Sequence, residues 1–349
     1  MFQQSSPPKI QTSLAPTFVV GLGRSGTTLL RNLLNASNQI HIPYESDFIA
    51  RAYPTLHQKT AFDEQDYEKI AQAFSSRSQK NGWHMQKNYL LSCLKERSPK
   101  NFAEVNAAIY EAYLKKEGLE ALQWGIKTPV LIQSIDRILD VFPNARVVHI
   151  VRDGRDVYLS YKNIHEHGVN QEKFGPSNIL QSTLFWVDGL RKVEESVSSA
   201  EHSLSQSVYE VRFEDLLKDT DAELEKLFNF LGMAYDASIP DRYLNYEGNQ
   251  KLLCLQKHHE NTVNSKLKQG IDGKNTAKYL SKMTKLERLT FELIAAPYLK
   301  KYGYTAEFSI LNSPLFAPVR SVLYFSARQF NAFRYQKRDQ KTAQLLSSQ

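Results

Sequence analysis

The sequence predicts an α/β protein: a three-layer α/β/α arrangement around a central parallel sheet, with a helical insertion and an irregular lid. Two observations carry this. Apolar runs at Phe18–Val20, Gln123–Lys127, Arg146–Val151 and Val208–Val211 are separated by helical patterns. Such alternation builds parallel strands joined by crossover helices. The first run also ends in a Gly/Arg/Ser/Gly turn at residues 23–26 that opens directly into a helix with Leu29, Leu30, Leu33 and Leu34 on one face.

Taken in order, residues 1–15 are polar and proline-punctuated, and a single α/β domain is expected over 16–310. After the first helix, Glu45 is expected to start a second helical stretch that stops before Pro54. Residues 55–120 read as a helical insertion, with three helices between 62 and 118 and breaks near 75–81 and 98–100. Thr128-Pro129 opens a helix through Leu139, with proline in its first turn. Residues 178–199 form a long helix with Leu180, Leu184, Val187 and Leu190 on one side. Phe213-Glu214-Asp215-Leu216 leads into a helix over 222–231. Residues 241–283 are polar and lid-like, and 285–301 form a closing helix. The tail, 311–349, carries Val319, Val322, Leu323, Phe330 and Phe333 on one helical stripe with arginines elsewhere. It fits packing on its own domain, a homodimer contact, or weak contact with a membrane surface.

Composition narrows the function. The 349 residues are 42% hydrophobic, ample for a core, and carry a formal charge of +7. That suits anionic small ligands and gives no reason to expect a nucleic acid partner. Cys93 and Cys254 form no CxxC pair, so neither a disulfide framework nor a metal cluster is expected. The N-terminus lacks an apolar signal core and no run reaches the ~18 residues of a membrane span, so a cytoplasmic protein is expected.

The turn at 21–28 aims backbone N–H groups and a helix N-terminus at one point, where an anion can sit. Its outline is that of a P-loop, but Thr27 stands where the Walker lysine belongs and Arg24 lies inside the loop. Lys127 and Arg152 also fall at strand ends, where ligands bind in such sheets. One phosphate would not need all three cations; a nucleotide with several anionic groups would. Ser160 lies eight residues beyond Arg152, so the pair suits a second phosphate if Arg152 precedes its helix.

These residues resemble the sulfotransferases that use 3′-phosphoadenylyl sulfate (PAPS), nearest the branch of tyrosylprotein sulfotransferases and bacterial relatives. GRSGTTLLRNLL is similar to that branch's 5′-phosphosulfate loop, IPYES holds Glu45 at the family glutamate's distance, and KTP and VVHIVRDGRDVYLSYKN follow in order. The resemblance implies an enzyme moving a sulfuryl group from PAPS to the hydroxyl of an acceptor of unknown class, releasing PAP, with no metal. Ser25, Gly26, Thr27 and Thr28 would hold the 5′-phosphate, Arg24 and Lys127 would stabilise the transferring group, and Arg152 and Ser160 would take the 3′-phosphate. Glu45 would be the general base. Phe213 stands where the family often has a tyrosine near the adenine, and Lys274 and Lys278 are lid candidates for further phosphate contacts. His41, His165 and His167 are rival bases. A P-loop kinase or other NTP-dependent phosphotransferase is the alternative enzyme, but it predicts a Walker lysine and a Walker B carboxylate. A non-catalytic nucleotide-binding interaction protein would not need the full set of charged residues.

Overall fold

Five strands form one parallel sheet in the order β2-β3-β1-β4-β5. They are β1 (Thr17–Val20), β2 (Ile40–His41), β3 (Gln123–Lys127), β4 (Arg146–Val151) and β5 (Val208–Arg212). The computed structural model describes residues 15–78, 82–119, 123–166, 175–198, 205–244, 271, 275–325, 340, 343, 344 and 346. The central strand β1 pairs Val19 with both Lys127 and Val148, and β4 pairs Val151 with Arg212. This register brings Gly21, Lys127, Arg152 and Phe213 to one edge, the carboxyl ends of the strands, where the strand order switches direction about β1.

The strands are apolar on both sides because both sides are covered. Val19, Val148, Ile150 and Val211 pack with Leu30, Leu33 and Leu34 of α1 (Thr27–Asn35) and with Leu224, Leu227 and Phe228 of α10 (Thr220–Leu231). Phe18, Val20, Val147 and Val151 face the other way. They share a core with Trp186, Val187 and Leu190 of α8 (Ile179–Ser198) and with the insertion helices. Those helices are α3 (Glu64–Ser78), α4 (Lys87–Arg97) and α5 (Phe102–Glu117); α3 continues past the expected start of the first break, and the second break falls at 98–101. Trp83 joins them, edge-on to Phe74 and Tyr110, so the insertion is part of the main core. α5 begins at Asn101, whose side chain accepts from Glu104 N, and ends at Gly118 in the left-handed conformation.

Several expectations are corrected. The second helix, α2, spans Phe48–Leu56 and runs through Pro54, leaving Glu45 in the preceding turn. Proline removes the N–H that would bond Ala50 O, and Arg137 Nη1 supplies the missing donor at 2.8 Å. Pro129 opens a 3-10 turn, Pro129–Gln133; Ser134 (φ −142°, ψ 28°) separates it from α6, Ile135–Val141. The segment after β5 holds two helices, α9 (Phe213–Lys218) and then α10. On α8, Leu180 is exposed and the buried face runs through Thr183, Trp186, Val187, Leu190 and Val193.

Of the lid-like segment, α11 (Ile239–Leu244), Ile271 and residues 275–283 are described. Lys274 lies outside the described residues. The closing helix, Lys285–Lys301, has a capping box between Thr284 and Glu287. In the tail, Val319 and Val322 are exposed, whereas Arg320 is buried and donates to Leu311 O (2.8 Å) and Ser313 O (3.1 Å). Two carbonyls fix its guanidinium, which explains why a cation and not the valines faces the protein. Phe330 and Phe333 lie outside the described residues. Among the described residues no helix is long and apolar enough to cross a membrane.

Candidate active site

The loop after β1 and the start of α1 form the floor of the site. Gly26 sits before the first turn of α1 with φ 98°, and as a glycine it offers that turn no capping side chain. A Cβ there would meet both a disfavoured backbone and the Phe213 ring. Arg24 also has positive φ, 74°, uncommon for a residue with a side chain and typical of ligand clamps. Ser25 and Thr27 are buried, and Thr28 is half-buried.

Arg24 links the loop to Ser160 and Arg152. Its Nε donates to Ser160 Oγ at 2.9 Å, and its backbone carbonyl accepts from Arg152 Nη1 at 3.1 Å. Arg152 precedes α7 (Gly154–Glu166), the position expected of it if it and Ser160 are to reach one ligand. Its guanidinium lies 4.5 Å from the centroid of the Phe213 ring, so this aromatic serves as a platform for the arginine. Arg152 Nη2 donates to Asn275 O at 2.6 Å, and Trp186 Nε1 donates to Arg152 O at 3.0 Å. Its Nε is buried without a hydrogen-bond partner among the described residues. Burial lowers the pKa of both Arg24 and Arg152; Asp156 partly opposes this at Arg152. Lys278 Nζ bonds Asn275 Oδ1 at 2.6 Å, so it belongs to the segment packed on Arg152.

Lys127 ends β3 with its side chain 3% exposed, and its Nζ lies 2.5 Å from Glu45 Oε1 and 3.4 Å from Thr28 Oγ1. Burial pulls its pKa down, Glu45 pulls it up, and Arg31 and Arg24 push it further down. Glu45 is 51% exposed, so one carboxylate bridges a buried cation and solvent. The predicted cations, hydroxyls and carboxylate thus gather at one sheet edge. Two of the rival bases have other partners. His41 stacks on Tyr113 and His165 Nε2 sits 3.0 Å from Pro176 O; His167 lies outside the described residues.

Sequence reasoning missed what supports this set. The second arginine of RDGRD, Arg155, is a buried bolt: it bonds Asp153 through Nε and Nη2 (3.0 and 2.7 Å) and Glu292 and Thr305 O through Nη1 (2.8 and 3.0 Å). Glu292 also accepts from Glu307 N and Phe308 N. A glutamate inside the apolar run FELIAA was the available signal, since a buried charge demands a partner. Glu214 accepts from Asp153 N and Tyr304 Oη, both at 3.0 Å, and burial raises its pKa. Arg155→Ala would leave Asp153 and Glu292 buried without their cation. A loss of about 3–5 kcal/mol is expected in urea unfolding; a loss below about 1 kcal/mol would contradict the bolt.

A profile of the sulfotransferase family matches residues 16–237, more than half of the chain. The chain belongs to the sulfotransferase family. It is 35% identical over 114 residues to the omega-hydroxy-beta-dihydromenaquinone-9 sulfotransferase of Mycobacterium tuberculosis, covering 31% of this chain and 28% of that protein. It is 23% identical over 230 residues to the protein-tyrosine sulfotransferase A of Caenorhabditis elegans, covering 66% of this chain and 52% of that protein. The alignments therefore span between about a quarter and a half of these relatives' lengths. Among solved structures, the sulfotransferase domain of a Synechococcus olefin synthase shares the fold, with a TM-score of 0.53 at 18% identity over 87% of this chain and 99% of that one.

Proposed function

We propose that the protein transfers a sulfuryl group from PAPS to an acceptor hydroxyl. The observation that carries this reading is the Glu45–Lys127 pair beside Thr28, at the N-terminus of α1, where the N-cap residue is a glycine. A carboxylate that can take a proton stands next to a loop that can hold an anion.

The residues fit the donor. The amides of Ser25 to Thr28 and the threonine hydroxyls would hold its 5′-phosphate. Arg152, with its unsatisfied buried Nε, and Ser160 would take the 3′-phosphate, and Phe213 supports the guanidinium from below. Lys274 remains a candidate for a further phosphate contact. In the reaction the acceptor O–H gives its proton to Glu45 as its oxygen bonds sulfur. The bond from sulfur to the 5′-phosphate oxygen breaks, and PAP leaves with the electron pair. Positioning and electrostatics provide most of the acceleration in such transfers. Lys127 and Arg24 offset the charge growing on the sulfuryl and leaving oxygens.

The acceptor is a hydroxyl compound. The named relatives act on a hydroxylated dihydromenaquinone and on protein tyrosine, and their shared chemistry supports no narrower class here.

Arg152→Ala tests the donor assignment. A charge-assisted bond is worth about 1.5–3 kcal/mol, so PAP affinity should fall roughly 10–100-fold. Adenosine 5′-phosphosulfate, which lacks the 3′-phosphate, should change by less than about threefold. Equal losses, measured by calorimetry, would mean that the 3′-phosphate site is misplaced.

A further inference from the structure

We infer that Thr128 is a positioning residue for the Glu45 carboxylate; the inference rests on the proposed transferase reaction. The turn that carries Glu45 is held on both sides of it. Asn35 accepts from Ile42 N at 2.8 Å and donates to Ile42 O at 2.9 Å. Arg31 Nη1 reaches Pro43 O at 3.5 Å, with its guanidinium 5.4 Å from the Tyr44 ring centroid. Trp83 Nε1 donates to Tyr44 O at 2.9 Å. Thr128 Oγ1 accepts from Ser46 N and donates to Ser46 O, both at 2.9 Å.

The last clamp differs from the others. Thr128 is the residue after Lys127, so its hydroxyl ties the backbone beside the carboxylate to the backbone beside the ammonium. The bond joins positions 82 residues apart. Thr128 also stands before Pro129 at the start of the 3-10 turn, where a threonine would ordinarily cap the backbone N–H groups that follow. It makes no such cap. The hydroxyl is committed to Ser46, and both residues are buried, so water does not substitute readily. One O–H and its lone pairs meet one C=O and one N–H, which satisfies both backbone groups of Ser46.

Removing the hydroxyl leaves these two groups unsatisfied and releases the turn toward solvent, on the side where Glu45 is already half-exposed. Misplacement of a reacting group by about 1 Å can cost on the order of 10²-fold in rate. Thr128→Val keeps the shape and loses the hydroxyl; Thr128→Ser keeps the hydroxyl. Thr128→Val should lower kcat by roughly 30–100-fold with PAP affinity and acceptor KM within about threefold of the natural protein. Thr128→Ser should return kcat to within about threefold. Lys127 faces Glu45, Arg31 and Arg24. With Glu45 displaced, Lys127 loses its supporting charge, so the alkaline limb of kcat should move to lower pH in Thr128→Val and return in Thr128→Ser.

Full activity in Thr128→Val, failure of Thr128→Ser to restore it, or a parallel fall in PAP affinity would overturn the assignment. If Thr128→Val does not fold, Thr128→Ser decides: folded protein that has lost more than about tenfold in kcat overturns the hydroxyl's role, and retained kcat supports it. If the natural protein transfers no sulfuryl group, the proposed function fails, and a crystal structure of Thr128→Val decides the positioning claim. An opened Lys127–Glu45 pair supports it; a pair still at 2.5 Å overturns it.

Discussion

Glu45→Gln is expected to lose about 10²–10⁴-fold in turnover, the range that a positioned general base contributes, while still binding PAP within about threefold of the natural protein. Glutamine fills nearly the same space and can still accept a hydrogen bond from Lys127, but it cannot take a proton from an acceptor hydroxyl. The side chain is half-exposed at the rim, so the amide meets water there as the carboxylate does. The contrast between rate and binding separates two roles. Parallel loss of turnover and PAP affinity, in steady-state rates and calorimetry, would make Glu45 part of the nucleotide site and not the base. Any residual activity should also fail at lower pH on the alkaline side, because Glu45 helps keep Lys127 charged against burial.

Lys127→Met should cost about 10²–10³-fold in kcat, the usual loss when one preorganised donor to developing charge is removed. Methionine retains much of the stem that fills the buried end of β3. The ammonium is the part that matters: it is held beside Thr28 and Glu45 with almost no access to water, where charge acts more strongly than in solvent. Burial also holds its pKa below the ordinary lysine value of about 10.4. The charged form is therefore lost at a lower pH than for a surface lysine, and the natural protein should decline on the alkaline side accordingly. Lys127→Met should lack that limb. A variant that kept kcat within about threefold across the pH range would remove Lys127 from the chemistry.

The strands were legible because a sheet covered on both faces needs continuous apolar runs, and these stand out between amphipathic helices. Arg24, Lys127 and Arg152 were legible as site residues because each follows such a run, and parallel strands bring their ends to one edge. Glu45 required more: the strand before it, β2, is only Ile40–His41, too short to stand out, and its likeness to a family pattern pointed to it. The misreadings share a cause. Pro54 reads as a helix stop until Arg137 arrives from 87 residues away to satisfy Ala50 O. The Phe213 ring lies against the Arg152 guanidinium and Gly26, contacts that its own stretch of sequence does not announce. Thr128 reads as the opening of a helix, and nothing near it in sequence announces that its hydroxyl bonds Ser46. Each depends on a partner distant in sequence, which neither period nor propensity reports.

The central claim is that this edge of the sheet moves a sulfuryl group and not a phosphoryl group. Single-turnover incubation with radiosulfur-labelled PAPS and a panel of hydroxyl acceptors, with and without EDTA, tests it most directly. The expected result is label on an acceptor with release of PAP, unaffected by EDTA and lost in Glu45→Gln. Label that stays with the nucleotide, together with magnesium-dependent phosphoryl transfer from ATP, would contradict it.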